Sequence, residues 1–177
     1  MSTIPYVASR NDDDVDRDTW TTPVKITWRL GPVWLDPCSN EHSKVIAERT
    51  FRLDRRQNGL ELARFVPRNP PGIVFVNPPY SRGQVERWVE AYRHTRFVFL
   101  LRFDPSTDWF KLLVKHTGAI ALPHFRVNFD PPPGLALEDG NHNNPFPHAL
   151  YARDARDISS ELRAVCTLLA PLGAQHA

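Results

Sequence analysis

The tetrapeptide Asn77-Pro78-Pro79-Tyr80 follows directly on four apolar residues, Ile73-Val74-Phe75-Val76. Its prolines lack N–H groups and fix φ, so the loop is stiff and offers carbonyls without competing donors. The Asn77 side-chain oxygen and the Pro78 carbonyl can both accept hydrogen bonds from one amine. An amine conjugated to a base ring is a poor nucleophile. Two fixed acceptors would bend it out of conjugation and localise its lone pair for attack on a sulfonium methyl. No strong base is needed, because the proton can leave after the new bond starts to form. Tyr80 offers a flat face on which an extruded base can stack. Asn77, Pro78, Pro79 and Tyr80 are therefore the candidate catalytic group. The competing reading is a proline-rich turn after a core strand. The complete tetrapeptide directly behind an apolar strand weighs against it.

A second loop of interest is Leu35-Asp36-Pro37-Cys38-Ser39. A carboxylate at the end of a strand could bind the ammonium of a methionine moiety or ribose hydroxyls. Asp36 reads equally well as the start of an Asp-Pro turn or as a helix cap. The chain has no Gly-x-Gly-x-x-Gly, no phosphate-binding loop and no metal-ligand spacing, which argues against a nicotinamide or flavin enzyme. His124, His142 and His148 are scattered among prolines and read as surface residues rather than metal ligands.

Both loops need strands to present them, because ligands of an open α/β sheet bind outside the carboxyl ends of its strands. Thr22-Pro23 reads as a cap with proline at the first helical position, opening a short helix over 22–30. Val33-Trp34-Leu35 is a short buried strand stopped by Asp36-Pro37. Residues 41–49 read as a helix, 68–72 as a loop, and 73–76 as a strand buried on both faces. Val85, Trp88, Val89 and Tyr92 give 83–94 a helical period. Residues 97–101 form another fully apolar strand. Pro105-Ser106-Thr107 caps a helix whose apolar face uses Trp109, Phe110, Leu112 and Leu113. Further strands are expected at 119–122, 125–129 and 148–151, a long loop at 130–147, and a final helix at 158–169. Buried strands alternating with helices imply an α/β sandwich with a largely parallel sheet and an antiparallel edge.

Composition sets the frame. The chain has 177 residues, 41% of them apolar and 24% charged, which suits one globular domain. No apolar run approaches a membrane span. Residues 1–18 form an acidic leader, expected to be flexible and lacking the apolar core of a secretory signal; residues 19–177 form the single domain. Cys38 and Cys166 read as reduced thiols of a cytoplasmic protein. The net charge is only +2, yet Lys44, Arg49, Arg52, Arg55, Arg56, Arg64 and Arg68 outnumber Glu48, Asp54 and Glu61. Such a basic stretch suits a phosphate backbone, and equally a solvated surface.

In order along the chain stand Trp20-Thr21-Thr22-Pro23, Leu35-Asp36-Pro37, Asn58-Gly59-Leu60 and Asn77 through Ser81. Trp88-Val89, Leu100-Leu101, Trp109-Phe110 and Arg126-Val127-Asn128-Phe129 follow. This series resembles the phage-type DNA N6-adenine methyltransferases, a small Dam-like family, over residues 20–151. The resemblance implies a Rossmann-like sandwich that uses S-adenosylmethionine (SAM) to methylate the N6 amine of adenine in double-stranded DNA. It implies that Asn77 to Tyr80 are catalytic and that Thr22, Pro23 and Asp36 line the SAM pocket, with Trp20, Pro37, Asn58 and Asn77 beside them. Trp20, Phe51 and Phe75 are candidates either for the adenine of SAM or for the core. Asn58 stands where an acid is usual, and the loop after Asp36 has no glycine, so the methionine end of SAM would be held differently from larger relatives. Arg52, Arg55, Arg56 and Arg126 are the candidate DNA contacts, in a monomer or homodimer of a bacterial or phage-infected cytoplasm, in a restriction–modification setting. Cytosine-N4 methylation is the alternative reaction, since it uses the same tetrapeptide. A non-catalytic DNA-binding relative is the alternative from another class.

Overall fold

The computed structural model describes residues 20–80, 83–133 and 144–170. The strands are β1 (Val33–Ser39), β2 (Ala47–Arg52), β3 (Ile73–Val76), β4 (Phe97–Arg102), β5 (Ala119–Pro123), β6 (His148–Ala152) and β7 (Cys166–Leu169). The helices are α1 (Val24–Thr27), α2 (Gly59–Leu62), α3 (Gln84–Tyr92), α4 (Asp108–Val114) and α5 (Ser160–Arg163). The seven strands form one sheet in the order β2-β1-β3-β4-β6-β5-β7. Strands β1 to β4 are mutually parallel.

Alternation along the apolar runs explains the layers. Val74, Val76, Phe97, Phe99 and Leu101 point to one face, where Trp88, Val89 and Tyr92 of α3 and Leu113 of α4 cover them. Ile73, Phe75, Val98 and Leu100 point to the other, against Ile26 of α1 and Leu162 of α5. A strand buried on both faces must be apolar at every position, and β3 and the first five residues of β4 are. The fold is thus mixed α/β, with a sheet that is parallel at its centre.

The antiparallel part differs from expectation. The reversed strand β6 lies inside the sheet, bonded to β4 on one side and β5 on the other; β7 then forms an antiparallel edge on β5. All five residues of β6 are buried, as an interior strand requires, while β7 is half exposed.

Three expected elements are corrected. Residues 41–49 are not helical. Asn40 turns the chain by accepting from the His42 N–H at 2.9 Å, and residues from Ala47 onward pair with the outer side of β1. The final helix 158–169 is a single turn capped by Ser159, after which Cys166–Leu169 supplies the missing partner of β5. Residues 125–129 form no strand; only Asp130 makes a bridge, to Thr21. Strand β1 also continues past Asp36-Pro37 to Ser39. Its last pair with β3 is Leu35 with Val74, so the missing Pro37 N–H breaks no bond on that side. The acidic leader, residues 134–143 of the long loop, and Ser81 lie outside the described residues. Among the described residues no helix is long and apolar enough to cross a membrane.

Candidate active site

Strand β1 sits between β2, which follows it in the chain, and β3, which comes next but lies on its other side. The winding reverses there, and such a switch point opens a crevice at the carboxyl ends of the two strands. Asp36 to Ser39 lie at the end of β1, and Asn77 follows the last residue of β3. A cavity of about 420 Å³ opens between them, of the size that holds a small ligand. Asp36, Ser43, Val45 and Leu53 contribute to its wall, with Thr22, Cys38, Asn77 and Pro78, and with Tyr80, Arg102, Phe129, Phe146 and His148.

Asn77 is held by one end of its amide. Its Nδ2 donates to Thr22 Oγ1 at 3.1 Å, which fixes the direction of the group. Its Oδ1 is buried and has no hydrogen-bond partner among the described residues. A buried acceptor without a donor costs free energy, so its presence in a cavity wall needs a reason. Thr22 does not cap α1, as its sequence position suggested. Pro23 takes the N-cap position, and the threonine hydroxyl serves Asn77 instead. The segment carrying Thr22 is pinned by the paired bonds Thr21 N–H to Asp130 O (2.9 Å) and Asp130 N–H to Thr21 O (3.0 Å). Trp20, just before it, lines the cavity with a buried Nε1–H that also lacks a partner among the described residues.

Asp36 is 3% exposed. Its Oδ1 accepts from the Cys38 N–H at 3.2 Å and its Oδ2 from the Ser43 hydroxyl at 3.5 Å. Burial pushes its carboxyl up to about 6, and the hydrogen bonds from Cys38, Ser39 and Ser43 offset only part of that. Cys38, near the end of β1, meets the β3 loop: the Asn77 backbone bonds its sulfur, and burial with the neighbouring Asp36 charge keeps its thiol protonated.

The Tyr80 hydroxyl donates to Leu100 O at 3.1 Å, and burial drives its acidity well below normal. Phe129 and His148 make T-shaped contacts with the Tyr80 ring, with centroids 6.3 and 5.9 Å away. Arg102 lies over the ring at 5.4 Å. His148 is 6% exposed, contrary to the surface position expected for it. Burial lowers its pKa to about 4, with Arg102 and Arg126 adding to the effect, so the ring is neutral at pH 7.

The other expected residues fall nearby or aside. Pro23 and Pro37 are buried behind the cavity wall rather than in it. Asn58 is exposed and is not part of the wall; its oxygen accepts from the Leu60 and Glu61 N–H groups and caps α2. Phe75 lines the cavity, while Phe51 packs against the core. Arg52 is ion-paired with Asp54 and with Glu41. Arg55 and Arg56 are exposed just beyond the carboxyl end of β2, on the same side of the sheet as the cavity. Arg126 donates to Pro145 O at 3.2 Å on the cavity rim. Sequence reading missed Arg102, Phe146 and His148. The available signal was a cation closing an apolar strand and a histidine opening one. Among the described residues no three His, Cys, Asp or Glu side chains group closely enough to hold a metal ion.

The chain matches the family model described as DNA N-6-adenine-methyltransferase (Dam) over residues 9–146. No curated protein and no solved structure gives a match. The family match spans most of the chain and takes in both loops that build the cavity, so the protein belongs to the DNA N-6-adenine-methyltransferase (Dam) family.

Proposed function

We propose that the chain transfers a methyl group from SAM to the exocyclic N6 amine of adenine in double-stranded DNA, and that the cavity at the β1/β3 switch point is where this happens. The observation that carries the reading is the orphaned Asn77 Oδ1, a buried acceptor in the cavity wall whose amide is fixed by Thr22. The Dam family match supports adenine as the target base.

The cavity suits SAM chemically. Asp36 is a buried carboxylate with no lysine or arginine paired to it among the described residues, which suits the ammonium group of a methionine moiety. The unpartnered Trp20 Nε1–H is a donor for the cofactor's polar atoms. SAM, when bound, supplies an electrophilic methyl on a sulfonium sulfur. Asn77 Oδ1 accepts one hydrogen of the adenine amine and the Pro78 carbonyl accepts the other, which turns the nitrogen lone pair out of the ring. Pro79 stiffens the loop so that the acceptors need no rearrangement. Tyr80 stacks the extruded base. After transfer the nitrogen carries the methyl, both hydrogens and a positive charge; Asn77 Oδ1 and the Pro78 carbonyl each hold one hydrogen until solvent takes one of them.

The test is calorimetric titration with SAM, followed by transfer of a labelled methyl to DNA free of adenine methylation. One SAM per chain and label in the DNA are expected. A folded protein with no affinity for SAM would overturn the reading.

A further inference from the structure

Arg102 ends β4 within the cavity wall. Its guanidinium lies 4.0 Å from the Phe146 ring centroid and 5.4 Å from that of Tyr80. The nearest acid in sequence, Asp104, is turned to Ser106 instead, accepting from its N–H and its hydroxyl at 3.1 and 2.6 Å. His148, beside the same rings, is neutral at pH 7. Among the described residues, therefore, aromatic faces seat this cation and no carboxylate does. Phe129 and His148 make T-shaped contacts with Tyr80, and the Arg102 guanidinium lies over the Tyr80 ring.

We propose that Arg102 is a displaceable occupant of the target-base slot. In the protein without DNA its guanidinium stands where the base must stack. The entering base displaces it, and the freed side chain binds the DNA phosphate beside the extruded nucleotide. The proposal rests on the methyltransferase reading above. Guanidinium and base are both flat groups that lie on aromatic faces, and the base, being larger, gains more from stacking. The guanidinium fork also matches phosphate oxygens, so leaving the slot exchanges a ring contact for charge-assisted hydrogen bonds. A cation left in the slot would repel the positive charge that develops on the amine as it is methylated. Base entry and backbone contact are thus one exchange.

The test uses the full chain with Arg102→Gln and Arg102→Lys. It measures affinity for unmethylated duplex against salt. It also measures, without DNA, the affinity for SAM relative to its product, S-adenosylhomocysteine, which lacks the sulfonium charge. Arg102→Gln is expected to flatten the salt dependence by about one unit of slope. It is also expected to favour SAM over the product by about two- to fivefold, the scale of removing one repelling charge across a hydrated pocket. Arg102→Lys keeps the charge and should keep the slope. A folded Arg102→Gln protein with wild-type slope and ratio would show that the guanidinium only packs, and overturns the proposal. A changed slope with an unchanged ratio also overturns it, since the contact would then be permanent and outside the slot. Loss of slope in Arg102→Lys overturns it as well, because charge would not be the cause. Failure of the underlying reading looks different: the wild-type chain itself would bind neither SAM nor DNA, and both fall.

Discussion

Asn77 buries a polar atom for which the fold itself supplies no partner among the described residues. Thr22 takes one end of the amide and leaves the other end buried and unpaired. Asn77→Ala removes that acceptor without disturbing the β3 core, so turnover should fall at least about a hundredfold, the scale of one preorganised polar group. SAM affinity should be largely kept. Near-normal methylation by this variant would contradict the mechanism. Asp36 carries a second consequence. Its carboxyl is raised from 3.8 to about 6 by burial, so the native state holds the proton more tightly than the unfolded chain. The associated stability is fully present below about pH 4 and is lost as pH rises through 6, a change of about 3 kcal/mol. Thermal unfolding should therefore show Asp36→Asn more stable than wild type at pH 7.5, with the difference vanishing near pH 4. The same substitution should weaken SAM binding by about 1.5–3 kcal/mol, and wild-type affinity for SAM should rise as pH passes 6. An affinity that is flat between pH 5 and 7.5 would show that Asp36 meets no cation.

At the scale of elements, α2 must approach β1 closely for the Asp36 loop to hold its shape. A Cβ on Gly59 would lie 1.9 Å from the Pro37 carbonyl oxygen and 2.7 Å from the Trp88 ring. Backbone on one side leaves little room to yield. Gly59→Ala should cost about 1–3 kcal/mol or more, read as a lower melting temperature, together with weaker SAM binding because the Asp36 loop shifts. An unchanged melting temperature would mean that α2 can move away freely. The elements that were legible in the sequence share a cause. Strands β3 and β4 are apolar at nearly every position, and α3 repeats Val85, Trp88, Val89 and Tyr92 at helical spacing, so local pattern and tertiary environment agree. The elements that were not legible are short edge pieces. Residues 47–52 and 166–169 are only partly buried, and pairing to the open sides of β1 and β5 made them strands. Gly83 opens α3 with φ +78°, a conformation that glycine adopts readily. At the site itself, the tetrapeptide announced Asn77 and Tyr80. Arg102, Phe146 and His148 depend on β6 folding back beside β4, where Arg102 pairs with His148, and no local pattern encodes that.

For the whole molecule, the switch point places the cavity, the carboxyl end of β2 and the Arg126 rim on one end of the sheet. That end is where a duplex would dock. Arg55 and Arg56 are exposed there, whereas Arg52 already shares its charge with Asp54 and Glu41. Removing Arg55 and Arg56 should therefore flatten the salt dependence of DNA binding by about one unit each, while Arg52→Ala should change it less. Equal effects from all three would mean that the Arg52 ion pairs open on binding; no effect from any would move the DNA-binding face elsewhere. The reaction itself is read most directly from the modified nucleoside. DNA lacking methylated bases, incubated with the protein and SAM and then digested to nucleosides, should yield N6-methyladenosine as its 2′-deoxy form by mass analysis, and Asn77→Ala should slow its formation at least about a hundredfold. N4-methylcytosine in its place, or no methylated base from a folded protein that binds SAM, would contradict adenine methylation at the Asn77 loop.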